Sequence, residues 1–388
     1  MWKLQENILE DKDKKILTEF INSTDRFTQF EQVKLFEKRW SEWQGCKYSV
    51  FVNSGSSADL LMMDATKELF RIFDNAEVIV PSLTWITNIT SVIQAKLNPV
   101  FVDINLHDLS FNYIDIERNI TNKTKFILVT HVMGMSANME ILRYIADKYN
   151  LIILEDCCES HGAVYDGNKV GNFGLASTFS FYWGHHMTTI EGGMICTNDE
   201  ELYDLLLLKR SHGLARELDK SKHDGLKIEH PDIAFNFLFL TYGYNFRNTE
   251  LHAVIGLSQL KNLDRYIDIR NKNHDEFMRV ISGLGDRLYP LKTKGISSFC
   301  LPFIFKNVED RHEYMLYLEQ CGIETRPIIG GNLLRQPCFS YNNNSPYLYP
   351  NAEIVHQCGF YIGNNQFVDS DRLNLLKHIL YDKSPDNK

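Results

Sequence analysis

Two adjacent imidazoles, His185 and His186, stand in the segment Phe179-Ser180-Phe181-Tyr182-Trp183-Gly184-His185-His186-Met187-Thr188-Thr189-Ile190-Glu191-Gly192-Gly193. Imidazole moves protons near neutral pH, and its ordinary pKa near 6.5 leaves it available there as a neutral base. Upstream, Asn53-Ser54-Gly55-Ser56-Ser57-Ala58 is a small-residue turn that enters a helical pattern carrying Leu60, Leu61 and Met63. Free N–H groups at a helix N-terminus, with the hydroxyls of Ser56 and Ser57, suit a phosphate dianion. The bland alternative is an N-capping turn without ligand, because Ser and Gly are favoured there. Between the two lies Leu151-Ile152-Ile153-Leu154-Glu155-Asp156-Cys157-Cys158-Glu159-Ser160-His161-Gly162, an apolar strand that delivers Asp156 at its carboxyl end. Ligands gather at that edge of open α/β sheets. A carboxylate beside a pyridine nitrogen keeps it protonated, so that the ring accepts electrons from a forming carbanion; otherwise Asp156 merely caps the next turn. The three elements in this order favour the functional reading.

Weaker candidates surround them. Trp85, in Pro81-Ser82-Leu83-Thr84-Trp85, follows a strand end and offers a flat face for stacking, although core packing explains such a residue equally well. Asn245, in Tyr244-Asn245-Phe246-Arg247, is placed to donate to a phosphate or to cap a helix. His212 and Arg216, in Arg210-Ser211-His212-Gly213-Leu214-Ala215-Arg216, and Arg326, in Glu324-Thr325-Arg326-Pro327, suit carboxylate or diphosphate oxygens, or are simply solvated.

The elements that must position these groups alternate. β-rich runs at Glu77–Pro81, Pro99–Ile104, Lys125–Val132, Leu151–Asp156, Ser177–Tyr182 and Gly193–Thr197 are interleaved with helical patterns near Ser57–Phe73, Met139–Tyr149 and Asn198–Ser211. Such alternation predicts a mostly parallel sheet covered on both faces. After Arg247 a helix through about Leu263 leads into another at Ile267–Ile281, a pair expected to bridge two domains. Beyond it come a strand at Phe299–Phe305, a helix around Asp310–Gln320, a loop at Asn342–Pro350 and a closing helix near Asp369–Tyr381.

Composition narrows the classes. With 41 basic and 50 acidic residues in 388, the net charge of −9 argues against a nucleic-acid or membrane-surface binder. No apolar run approaches the roughly 18 residues of a spanning helix and the chain opens without a signal pattern, so a cytoplasmic protein is expected. The eight cysteines are scattered and form no CxxC pair, which reads as small buried hydrophobes rather than disulfides. Cys157 and Cys158, on a strand, would point to opposite sides, and the tandem histidines converge poorly on one ion, so neither zinc nor an iron–sulfur cluster is expected.

Across essentially its whole length the sequence resembles the sugar-nucleotide aminotransferase and dehydratase family of the type I pyridoxal phosphate (PLP) fold. The matches are Gly55-Ser56, Trp85, Asp156, Ser180, Glu191-Gly192-Gly193, Tyr244-Asn245, His212-Gly213, Arg326-Pro327-Ile328 and Gly363-Asn364-Asn365-Gln366. His185, six residues before Glu191, holds the register of the family's lysine, which stores PLP as a Schiff base. Imidazole has no primary amine, so the cofactor must be held non-covalently. The resemblance implies an aspartate aminotransferase-like α/β fold, with a large PLP-binding domain over residues 1–265 and a smaller C-terminal α/β domain over 266–388. It implies that Asp156 pairs with the pyridine nitrogen, that Trp85 stacks on the ring, that Gly55, Ser56 and Ser180 hold the phosphate, and that Glu159 joins the cofactor contacts. Asn245 would reach the phosphate from the partner subunit of a homodimer with shared active sites. His212, Arg216 and Arg326 would meet the substrate, and His186 would either pack or bind sugar.

The implied activity is C3 dehydration of a nucleotide-linked, GDP-linked, 4-keto-6-deoxy sugar, hexose or heptose, on the way to lipopolysaccharide or capsule. L-Glutamate would convert PLP to pyridoxamine phosphate (PMP), His185 would move the protons, and ammonia and a 3,6-dideoxy-4-keto sugar would leave. A related branch deoxygenates with an iron–sulfur cluster, for which the cysteine spacing here is unsuited. Two alternatives stay open: an ordinary sugar-nucleotide aminotransferase using another amine, and a non-catalytic sensor on the same fold.

Overall fold

The computed structural model describes residues 1–340 and 345–382; part of the expected Asn342–Pro350 loop lies outside them. Among the described residues there are twelve strands: β1 Tyr48–Val52, β2 Glu77–Pro81, β3 Asn98–Val102, β4 Thr124–Thr130, β5 Ile152–Asp156, β6 Val164–Tyr165, β7 Asn168–Lys169, β8 Ala176–Ser180, β9 Gly193–Thr197, β10 Cys300–Ile304, β11 Thr325–Arg326 and β12 Gly359–Gly363. Seven of them form one sheet in the order β1-β9-β8-β5-β4-β2-β3. β3, β2, β4, β5 and β8 are parallel, and β9 runs antiparallel to both β8 and β1. Strands such as Ile127-Leu128-Val129 are apolar throughout because helices cover both faces, as parallel sheets require. The fold is therefore the α/β architecture expected, with a second sheet β10-β12-β11 built from the C-terminal part.

The parallel arrangement brings one set of chain ends to one edge. Asp156 closes β5, Ser180 closes β8, and Gly193, opposite Val52 and Ser180, opens β9 at the same edge. The helix Gly55–Leu69 starts there and packs Ala58, Leu61, Met62 and Ala65 into the central core with Val50, Val52 and Ile195. A Cβ at Gly193 would sit 2.2 Å from the Ser54 carbonyl oxygen, so only glycine lets the two turns meet.

A second core joins Phe277, Leu301, Phe303, Phe360 and Leu376 around the C-terminal sheet. The helix Leu263–Ile281 contributes to it, and the expected 265/266 boundary falls within this continuous helix. Several elements escape the sequence patterns: the helices Asp11–Ser23, Glu31–Gln44, Ile86–Gln94 and Pro350–Cys358, and the strands β1 and β12. Cys157 and Cys158 lie just past the end of β5, in the turn, and not on the strand as expected. Among the described residues no helix is long and apolar enough to cross a membrane.

Candidate active site

A cavity of about 380 Å³ opens at that sheet edge, lined from the large sheet by Gly55, Ser56, Trp85, Asp156, Glu159, Ser180 and His185, and from the C-terminal part by Phe299, Arg326 and Tyr361. Its volume is within the range of small-molecule sites.

The Asn53–Ala58 turn separates the cap from the start of the helix. Ser54 is the N-cap, its hydroxyl accepting the Ser57 N–H at 3.1 Å. Gly55 and Ser56 are the first helical residues, whose N–H groups precede the first intrahelical bond and carry the positive end of the helix dipole. Gly55 faces Ser180 closely: a Cβ there would lie 2.7 Å from Ser180 Cβ and 3.0 Å from its Oγ. Backbone amides, an exposed Ser56 and the Ser180 hydroxyl thus converge at one end of the cavity.

Asp156 is buried, and its Oδ1 accepts the Cys158 N–H at 2.9 Å, so it caps the turn with one oxygen while lining the cavity. Beneath it stands Asp59, a buried carboxyl that sequence reasoning passed over; it accepts from Thr178 Oγ1 at 2.6 Å and Thr87 Oγ1 at 3.1 Å. Burial and the neighbouring Asp156 charge raise its pKa well above the usual carboxylate range. Asp59 and Asp156 both line the cavity. Glu159 accepts the Met133 N–H at 2.8 Å, and burial pushes its carboxyl up to about 7, with Asp156 adding to the rise and Arg326 opposing it. Trp85, at the N-terminus of the helix Ile86–Gln94, is 48% exposed, an apolar face open to the cavity.

His185 lies in the loop between β8 and β9, where the Phe181 N–H bonds Gly192 O, the Thr189 N–H bonds Phe181 O and the His185 N–H bonds Tyr182 O. Its ring is partly open to the cavity, and Nδ1 has no hydrogen-bond partner among the described residues. Burial first, and then the Arg270 charge, lower its pKa to about 3, against an upward pull from the Cys158 carbonyl. The imidazole is thus neutral at physiological pH, as a base must be.

The other expected substrate residues divide. Arg326, on β11, lines the cavity. His186 does not: its side chain is wholly buried, with Nε2 3.1 Å from Ser297 O and 3.0 Å from its Oγ, so of the two roles expected for it sugar binding gives way to packing. His212, Arg216 and Asn245 are exposed and lie outside this cavity. Asn245 Oδ1 accepts from Arg247 Nε at 3.0 Å and does not cap the following helix, whose N-cap is Thr249.

His131, Glu155 and Cys157 bring three ligand-type side chains together. Here His131 Nε2 pairs with Glu155 at 3.0 Å and Nδ1 accepts the Ala137 N–H, while Glu155 also accepts from Gly171, Phe173 and Gly174. These contacts engage the ring and both carboxylate oxygens in fixing the loops beside β5.

Residues 7–371 match the family model described as the DegT/DnrJ/EryC1/StrS aminotransferase family. The GDP-4-keto-6-deoxy-D-mannose 3-dehydratase of Escherichia coli O55:H7 is 36% identical over 366 residues, covering 91% of this chain and 93% of its own. The GDP-perosamine synthase of Escherichia coli O157:H7 is 33% identical over 320 residues, 82% of each chain. A solved GDP-4-keto-6-deoxymannose-3-dehydratase with a trapped PLP–glutamate geminal diamine superposes with a TM-score of 0.89 at 33% identity, covering 98% of this chain and 100% of that one.

Proposed function

The chain belongs to the DegT/DnrJ/EryC1/StrS aminotransferase family, and from that premise we propose that it removes the C3 hydroxyl of a GDP-linked 4-keto-6-deoxy sugar, with PLP/PMP as cofactor and L-glutamate as reductant. The observation that carries this reading is His185: a neutral imidazole stands at the cavity wall in the register of the family's lysine, and no lysine lines the cavity among the described residues.

The side chains present fit the cofactor. A flat aromatic face, a helix N-terminus with no room for a Cβ and the buried carboxyl of Asp156 line a single cavity. Gly55, Ser56 and Ser180 would hold its phosphate, Trp85 its ring face and Asp156 its ring nitrogen, with Glu159 beside them. When bound, PLP/PMP supplies an exchangeable amine and an electron-accepting ring. Asp156 would face the ring nitrogen and favour its protonated form. His185 holds and moves protons at its ring nitrogens, taking one as base and delivering one to the departing C3 oxygen. Such groups contribute roughly 10²–10⁴-fold. Arg326 would meet substrate oxygens.

The balance is two electrons. Glutamate is oxidised to 2-oxoglutarate and ammonia, the C3–O bond of the sugar is reduced to C3–H, and the water released on dehydration matches the water consumed in freeing ammonia.

His212, Arg216 and Asn245 serve the cavity of a partner subunit in a two-fold dimer. In support, they share an exposed region with large apolar side chains, Phe237, Phe239 and Tyr242, which a second copy would cover. The test is mass spectrometry of the sugar after incubation with PLP, L-glutamate and GDP-4-keto-6-deoxymannose. Loss of one oxygen, absent in His185→Asn, is the expected result; an unchanged sugar overturns the assignment.

A further inference from the structure

The helix Leu263–Ile281 carries Arg270, whose side chain is wholly buried. Its guanidinium spans three segments distant in sequence: Nη1 donates to Phe299 O at 3.0 Å and Asn364 O at 2.5 Å, and Nη2 to His185 O at 3.4 Å. Phe299 leads into β10, Asn364 follows β12, and His185 is in the β8–β9 loop. Asn364 closes the network, its Nδ2 donating to Arg270 O and Ser298 Oγ, both at 2.9 Å. The partners of this cation are carbonyl dipoles rather than a carboxylate, and Nε has no partner among the described residues. Burying a charge this way is costly, and an apolar side chain of similar volume often serves a purely structural purpose as well or better. The charge and the fork therefore call for a role beyond packing.

We propose that Arg270 is the positioning residue for His185: its guanidinium pins the histidine loop to the C-terminal sheet and fixes a positive charge at the main chain of that histidine. The proposal deepens the dehydratase reading and rests on His185 as its proton carrier. The fork holds the main chain of His185 itself, so the ring's place in the cavity follows from it. The charge acts on His161 and His186 as well, whose rings lie 6.0 Å from that of His185 and 5.2 Å from that of His161 respectively. Around His185 stand Asp156 at the end of β5, Glu159 and His161 from the segment after it, His186 from its own loop and Arg326 from β11, and the Arg270 charge opposes protonation of all three imidazoles.

Two variants test this. Arg270→Met removes charge and fork, whereas Arg270→Lys keeps the charge but cannot span three carbonyls. The first readout needs no turnover: the imidazole carbon shifts of histidine-labelled, PMP-loaded protein are followed by NMR against pH, with His185 assigned from His185→Asn. The His185 midpoint should rise by about one unit or more in Arg270→Met and stay near wild type in Arg270→Lys. The second is the glutamate half-reaction, read as 2-oxoglutarate formed from PLP-loaded protein, which should slow about tenfold or more in both variants. A folded Arg270→Met with a wild-type midpoint and rate overturns the proposal. If that variant does not fold, Arg270→Lys decides: a wild-type half-reaction rate overturns the positioning role. Because the half-reaction involves no sugar, failure of the dehydratase reading shows separately, as wild-type protein that turns over glutamate but leaves the sugar unchanged.

Discussion

Replacing Gly55 by alanine separates cofactor affinity from stability. The added Cβ would stand 2.7 Å from Ser180 Cβ, 3.0 Å from Ser180 Oγ and 3.4 Å from Cys158 Sγ. The first contact is roughly 1 Å inside the optimal carbon–carbon separation, and Ser180 Cβ is fixed to a strand that cannot give way cheaply. The helix start must therefore move off β8, and the amides of Gly55 and Ser56 part from the Ser180 hydroxyl. Charge-assisted hydrogen bonds contribute about 1.5–3 kcal/mol each, so losing one weakens PMP binding by roughly 10–150-fold. Helix propensity acts in the opposite sense, because alanine favours a helix over glycine by up to about 1 kcal/mol. The expected result is a sharply raised PMP dissociation constant, measured by fluorescence quenching of the cavity tryptophan, with a thermal midpoint within a few degrees of wild type. An affinity within threefold of wild type would refute the assignment of this turn to the phosphate.

Asp156→Asn removes the carboxyl proposed to face the ring nitrogen and should lower turnover by about 10²-fold or more while weakening PMP binding about tenfold, as measured by steady-state kinetics and dialysis. His185→Asn should keep PMP affinity within a few-fold and lose about 10²–10⁴-fold in turnover. Burial pushes the pKa of His161 and His186 well below 6.5. Below pH 6.5 the unfolded chain therefore takes up protons that the folded chain refuses, and stability falls with pH by up to about 1.4 kcal/mol per unit for each ring; above 6.5 the contribution vanishes. Thermal melts should show a lower midpoint at pH 5 than at pH 7.5, and His161→Phe should flatten that dependence; an unaltered slope contradicts the assignment. If sites are shared, mixing inactive His185→Asn and Arg216→Ala protomers should restore about a quarter of wild-type activity, whereas cavities complete within one chain would leave the mixture inactive.

What could be read from sequence followed how local its signal was. Asp156, Ser180 and Gly55 each sit at the junction of a strand or helix with a turn, where pattern and chemistry coincide within a few residues. Asp59 was missed because a lone acid four residues into a helix reads as a solvated face; only the fold turns it inward against Thr178, 119 residues away. Phe299 and Tyr361 reach the cavity from a sheet assembled far along the chain, and Arg270 touches His185 across 85 residues, so no local window contains the relation. For His186 the sequence leaves packing and sugar binding open, and only the fold, which sets its Nε2 against Ser297 while His185 lines the cavity, separates the two. The helix Ile86–Gln94 was not read because its Ile, Thr and Val residues favour strands, and burial of its Ile89 and Val92 overrode that propensity.

The central claim is that a histidine in the lysine register separates dehydration from amination, and the fate of nitrogen tests it most directly. Wild-type protein is supplied with PLP, GDP-4-keto-6-deoxymannose and [15N]-L-glutamate, and the label is traced by mass spectrometry and NMR. The account predicts 15N in free ammonium, in step with 2-oxoglutarate, and a nitrogen-free sugar lacking one oxygen. Label retained on the sugar at C4 would contradict it and make the protein an aminotransferase.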